Sequence, residues 1–182
     1  SIDASTGNVL VIGGDDNSNN GIKDVAEFDT TTLEIRNHPA GDMHYARWYP
    51  TSIVMPDGRV LVVGGKSEMS PKTGSGQDSA IGIPEIFAPG MGWRTLPGAE
   101  IPEMWVHLTR EWYYPNTYVN SKGDVIVIFG KGKLDNVYRI NVNGDGSRKV
   151  IAKKPFRSQK LHPSIMYRTD KILMMDEWAY LW

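Results

Sequence analysis

The chain contains no cysteine, which excludes disulfides and leaves the redox compartment unreadable. It also has no Asn-x-Ser/Thr sequon. No apolar run approaches the roughly 18 residues needed to span a bilayer. No charged-then-apolar leader is present either, because the chain opens Ser1-Ile2-Asp3; a secretion signal, if the protein has one, is expected to precede Ser1. Neither sign of charge is in excess: Lys+Arg 20 against Asp+Glu 21 give a net charge of −1, so nothing steers the chain toward nucleic acid or an anionic membrane. The lysines at 131, 133, 149, 153 and 154 read as a solvated edge. Helical periodicity is almost missing.

What remains is β-type. Gly 19 and Pro 11 punctuate many short apolar runs, and 182 residues suffice for a domain with a sizeable core. The chain also repeats itself. A turn followed by a buried-type strand occurs four times: Ser5-Thr6-Gly7-Asn8 before Val9 to Gly14, Pro56-Asp57-Gly58 before Arg59 to Gly65, Ser121-Lys122-Gly123 before Asp124 to Gly130, and Arg168-Thr169-Asp170 before Lys171 to Glu177. After each of the first three comes a pair of short strands, around Val25–Asp29 and Leu33–Ile35, Pro84–Phe87 and Gly92–Leu96, and Val137–Ile140 and Arg148–Ile151. Four strands in about 50 residues, with a diglycine closing the second, is the kelch-type propeller pattern. The third repeat has Phe129-Gly130 where the diglycine would stand, and the fourth has no glycine there. The expected fold is therefore all-β: part of one propeller domain, with a partial blade over 1–40, blades over 41–100 and 101–155, and a partial blade over 156–182. That is about three and a half blades of a seven-bladed ring; a compact four-bladed ring is the alternative. The Ser-, Gly-, Lys- and Pro-rich stretch Lys66 to Ser79 is expected to be a loop. A piece of a ring should expose unpaired strand edges and aggregate without its partners.

The segment Ala46-Arg47-Trp48-Tyr49-Pro50-Thr51, followed by Pro56-Asp57-Gly58-Arg59-Val60-Leu61-Val62-Val63-Gly64-Gly65, resembles a propeller blade of the copper-radical oxidases, the galactose oxidase and glyoxal oxidase family. The resemblance runs in step through the first three repeats and more loosely to the end. It implies a copper centre on the propeller axis, with a tyrosine that is cross-linked to a cysteine, binds the metal and stores a radical. Tyr49 matches that tyrosine, as catalytic residue and metal ligand; on general grounds it could instead be a buried aromatic with a satisfied hydroxyl. The partner cysteine of the family would fall just upstream of Ser1. The remaining ligands, a Tyr-His pair and a further histidine, belong in the family to later blades. None of His38, His44, His107 and His162 stands in such a pair, and all four are expected to be structural. In the complete protein the resemblance thus implies copper with a tyrosyl radical; this segment alone offers one of the four ligands and is not expected to assemble the centre.

The resemblance also bears on substrate. The indole that stacks over the cross-link in galactose oxidase would fall at Ser67; Trp178 or Trp182 could supply it instead, the alternative being that both are ordinary core or interface tryptophans. The sugar-binding arginine of galactose oxidase falls at Tyr114, in Trp112-Tyr113-Tyr114-Pro115. A Tyr-Pro here and the Arg-Trp-Tyr-Pro-Thr motif are similar to the glyoxal oxidase branch. Tyr113 and Tyr114 alternate along a strand, so one of them would line the substrate cavity. Arg47 shares the Tyr49 face by parity and could line it too, or reach solvent from the strand end. The implied activity is oxidation of small aldehydes or primary alcohols by O2, giving H2O2. The implied partners are that substrate, O2 and the remaining blades, with no nucleic acid or membrane, and an extracellular or periplasmic location. The alternative is a non-catalytic kelch-type propeller that binds glycans or proteins. Two other motifs fail on their own terms. Asp15 to Gly21 alternates oxygen donors like a calcium loop but has Ala26 where the closing glutamate belongs. Gly64-Gly65-Lys66-Ser67 has Val60 in place of the first glycine of a phosphate loop.

Overall fold

The computed structural model describes residues 1–18, 20–67, 79–104, 114–129, 136–153, 163–175 and 179–181. They form four antiparallel sheets. The first is β1 (Val9–Ile12), β2 (Val25–Phe28) and β3 (Ile35–Asn37), in that order. The second orders β4 (Trp48–Val54), β5 (Val60–Ser67), β7 (Glu85–Ala88) and β8 (Gly92–Thr95), with β6 (Ser79–Ala80) paired to the far end of β5. The third holds β9 (Asn116–Val119), β10 (Val125–Ile128), β11 (Asn136–Asn141) and β12 (Ser147–Lys153); the fourth holds β13 (Ser164–Arg168), β14 (Lys171–Met175) and β15 (Ala179–Leu181). Two single 3-10 turns, Pro97–Ala99 and Pro102–Met104, lead out of the second sheet. No helix among the described residues is long and apolar enough to cross a membrane.

The sheets pack face to face in chain order, which explains why their second strands read as unbroken apolar runs rather than alternating ones. Along β5, Val60 and Val62 face the first sheet, packing with Leu10, Phe87, Val25 and Met43. Leu61 and Val63 face the third, in the largest cluster, with Val125, Val127, Phe129, Tyr138 and Ile140. Along β10 the intervening Ile126 and Ile128 pack on Ile172 and Met174 of the fourth sheet. The period of two sends alternate side chains into two different cores. The outward faces of the end sheets stay apolar and exposed: Ile2, Val9, Val11 and Ile35 on the first, Ile165, Tyr167 and Met175 on the fourth.

Three sequence expectations shift. The diglycine does not end its strand: β5 continues through Gly64, Gly65 and Lys66 to Ser67, because both glycines take positive φ (72° and 84°) and keep the chain in pairing with β4 and β6. The expected loop from Lys66 therefore begins as strand and returns as strand at Ser79, and 68–78 lie outside the described residues. The third strand of the first repeat starts at Ile35, not Leu33, which takes φ 60° in the preceding turn.

Candidate functional site

Tyr49 sits at an irregular corner of β4. Its neighbours pair regularly with β5, Trp48 with Lys66 and Pro50 with Gly64, while Tyr49 itself has φ 58°. A tyrosine in left-handed backbone costs roughly 1–2 kcal/mol, and a following proline disfavours helical backbone further. Such a conformation persists where its surroundings over-determine it. Three glycines do so. A Cβ on Gly65 would stand 3.0 Å from Arg47 Cβ, 3.1 Å from the Trp48 carbonyl and 3.2 Å from Pro50 N; Cβ atoms on Gly13 and Gly21 would press into the Arg47 carbonyl and the Lys66 carbonyl. The backbone is pinned as well: Gly14 N–H donates to the Arg47 carbonyl (3.0 Å), Arg47 N–H to the Ile22 carbonyl (2.9 Å), and Tyr114 N–H to the Tyr49 carbonyl (3.1 Å). Around the phenol, the Trp48 ring is stacked at 4.3 Å and the Tyr114 ring is tilted at 4.9 Å. The Lys66 ammonium lies 5.2 Å from the Trp48 ring centroid, in cation–π range.

Arg47 neither lines a cavity nor reaches solvent. It is fully buried. Its Nε and Nη2 donate to Glu85 Oε1 (3.2 and 3.0 Å), Nη1 to the Gly64 carbonyl (2.7 Å) and Nη2 also to the Ile83 carbonyl (2.7 Å). Glu85 is equally buried and takes three further contacts: His44 N–H (2.6 Å) and Tyr45 N–H (3.1 Å) donate to it, and His44 Nδ1 lies 3.0 Å from Oε2. Burial pulls the Arg47 pKa below its ordinary value, opposed by the charge and hydrogen bonds of Glu85. The parity argument for Arg47 failed because it assumes a regular strand between 47 and 49, and Tyr49 breaks the period. The ion pair ties the 43–47 bend to β7, two residues before Tyr49.

Among solved structures the chain aligns with a fungal alcohol oxidase of the AA5 family, determined in complex with copper, at a TM-score of 0.69 and 18% identity. In fold, this chain is similar to part of a copper alcohol oxidase. The alignment covers 92% of this chain and 33% of the oxidase, so the chain spans about a third of that protein's length. No protein-family model matches the sequence, and no curated protein matches it.

Within this alcohol-oxidase-like fold, the structure brings Tyr49 and Tyr114 together, and Tyr114 is 49% exposed. Tyr113, Trp178, Trp182, His107 and His162 lie outside the described residues. Ser67 is buried at the end of β5. His44, in a bend before β4, is exposed and turned to Glu85. Sequence reasoning missed Glu85; the available signal was a lone carboxylate inside the apolar run Ile83-Pro84-Glu85-Ile86-Phe87, which calls for a buried cation.

His38 belongs to a second buried cluster, between the first two sheets. Donor atoms of Asp3, Glu27 and His38 all fall within 4.8 Å of one another beside a groove of about 550 Å³. Hydrogen bonds within the protein already engage its donor atoms. Ala40 N–H donates to His38 Nδ1 (3.2 Å), so the neutral ring carries its proton on Nε2, which faces Asp3 Oδ2 at 3.6 Å. Asp3 Oδ1 takes the Ser5 N–H and hydroxyl, and Glu27 takes Asn8 and Arg36. For Asp3, burial raises the pKa, but the Ser5 bonds and His38 outweigh it and hold it low; for Glu27 the Asn8 bond leads in lowering it, with Arg36 helping against burial. Folded-state values below the unfolded ones mean that this stabilisation is full above the ordinary carboxylate range and is lost as pH falls through the lowered values. Urea midpoints measured from neutral to acidic pH should therefore fall on acidification, and Glu27→Gln should flatten that fall. An equally steep fall in the variant would remove Glu27 from the account.

Proposed function

We propose that the four sheets are successive blades of a kelch-type propeller belonging to a copper-radical oxidase. In this reading Tyr49 is a copper ligand and the radical-bearing residue of the complete protein, and the substrate is a small aldehyde or primary alcohol. The observation that carries the reading is the Tyr49 corner: a strained tyrosine, cradled by glycines, in a chain whose fold is similar to a copper alcohol oxidase. Backbone strain held in place by its surroundings gathers at functional sites. The stacking of sheets in chain order and the apolar outward faces of the end sheets suit blades of a ring.

A phenolate suits Cu(II) alongside imidazoles, so Tyr49 fits the proposed metal as one donor. His38 and His44 are committed to Asp3 and Glu85 and are not assigned to it. Copper would supply one-electron chemistry, so that an alcohol loses two electrons and two protons to become an aldehyde and O2 takes both to become H2O2. This chain's own contribution is to hold the Tyr49 phenol at a fixed corner, through the glycine cradle and the Arg47–Glu85 tie.

A second reading is a non-catalytic propeller for glycans or proteins, because the same scaffold serves as a binding platform and fold does not fix function. Copper analysis of the full-length protein, with H2O2 release measured on a panel of small aldehydes and primary alcohols, separates the two. Stoichiometric copper and peroxide release are expected. Tyr49→Phe should then lower copper affinity by more than the roughly 10–100-fold that loss of an outer-shell partner costs and abolish turnover. A full-length protein that takes up no copper would leave the binding module.

A further inference from the structure

Tyr49 is not the only strained tyrosine. Tyr114 has φ 41°, also precedes a proline, Pro115, and stands just before β9, the first strand of the third sheet, while Tyr49 is the second residue of β4, the first strand of the second. The two corners are joined: Tyr114 N–H donates to the Tyr49 carbonyl across 3.1 Å, and the rings lie 4.9 Å apart at 41°. Tyr114 is 49% exposed, so burial of its own ring does not select its backbone. What the conformation achieves is the junction itself. The N–H is aimed at Tyr49, and the ring lies against the Tyr49 phenol.

We infer that Tyr114 is the positioning residue of Tyr49, fixing through its N–H and its ring the direction the phenol takes; this rests on the proposed role of Tyr49. Tyr114 itself need not touch copper or substrate for this. The ring face and the N–H of Tyr114 carry this role.

Three variants of the full-length protein test the inference. Tyr114→Phe keeps ring and N–H; Tyr114→Leu keeps the N–H and bulk without an aromatic face; Tyr114→Gly relieves the backbone strain but removes the ring. The first readout is the NMR signal of the Tyr49 ring in protein labelled at the tyrosine ring carbons, assigned by its disappearance in Tyr49→Phe. The second is copper affinity. Tyr114→Phe should leave both unchanged. Tyr114→Leu and Tyr114→Gly should move the Tyr49 resonance and weaken copper binding about 10–100-fold, while the urea midpoint of Tyr114→Gly stays near the parent's. A Tyr49 signal that stays in place in the Leu and Gly variants would overturn the inference, as would a Phe variant as damaged as they are. Should the parent bind no copper, the copper reading fails, and the NMR signal still decides whether Tyr114 positions Tyr49. Glycine is the residue best suited to positive φ, so the Gly variant is expected to fold.

Discussion

Alanine at Glu85 is expected to destabilise the fold by about 3–5 kcal/mol, the range for removing one partner of a buried ion pair. The mechanism is specific. With Glu85 gone, the Arg47 guanidinium remains fully buried against two carbonyls, of Gly64 and Ile83, with no counter-charge. The His44 and Tyr45 N–H groups lose their acceptor as well. The converse change, Arg47→Leu, should cost less. The carboxylate of Glu85 would keep both backbone donors and the His44 ring, although the Gly64 and Ile83 carbonyls would lose their guanidinium donors. Replacing both, as Arg47→Leu with Glu85→Leu, should recover much of the single-site loss, since well-packed apolar pairs often match buried ion pairs in stability. A urea-unfolding cycle of these variants measures the coupling. If Arg47→Leu proved more damaging than Glu85→Ala, the arginine would be acting through packing of its stem rather than through its charge.

The strands of the two middle sheets were legible in the sequence because those sheets are buried on both faces. Runs such as Val60-Leu61-Val62-Val63 and Val125-Ile126-Val127-Ile128 mark strands that serve two cores at once. The turn before β5 was legible for a local reason: Asp57 Oδ1 accepts the Arg59 N–H (3.1 Å) and Gly58 N–H reaches the Met55 carbonyl (2.9 Å), all within five residues. Tyr49 was singled out by motif, but its left-handed backbone was not legible. A period-two reading has no way to register a left-handed residue inside a strand. The same assumption misplaced Arg47, and reading glycines as strand punctuation made the diglycine look like a stop. Glu85 and the Asp3–His38 pair were hidden because their partners are distant along the chain, 38 residues apart for Arg47 and Glu85. Pattern reading identifies what one residue needs; only the packed sheets show which neighbour provides it.

Gly65→Ala should be costly for a reason unlike that of Glu85. Gly65 and Gly123 have nearly the same positive φ, 84° and 79°, so an added methyl group carries the same left-handed penalty of roughly 1–2 kcal/mol at each. At Gly123 nothing lies within 4 Å of the new Cβ, and that penalty should be the whole effect. At Gly65 the Cβ would also meet Arg47 Cβ, the Trp48 carbonyl and Pro50 N at 3.0–3.2 Å. These are backbone atoms and a stem carbon held by the Glu85 tie, and none is the free end of a flexible side chain. Overpacking of this kind adds about 1–3 kcal/mol, so Gly65→Ala should lose visibly more stability than Gly123→Ala. Gly21→Ala supplies the complementary case. Its φ is outside the left-handed range, yet its Cβ would meet the Lys66 carbonyl, with Arg47 N at 2.8 Å and Trp48 N at 2.9 Å, so its entire cost is steric. Equal losses at Gly65 and Gly123 in urea unfolding would show that the corner yields without resistance. Unequal losses, with Gly21 also damaged, would establish that β5 and the Gly21 turn are held against Trp48–Pro50 by close backbone contact. The diglycine would then be required by the tyrosine beside it rather than by the strand that carries it.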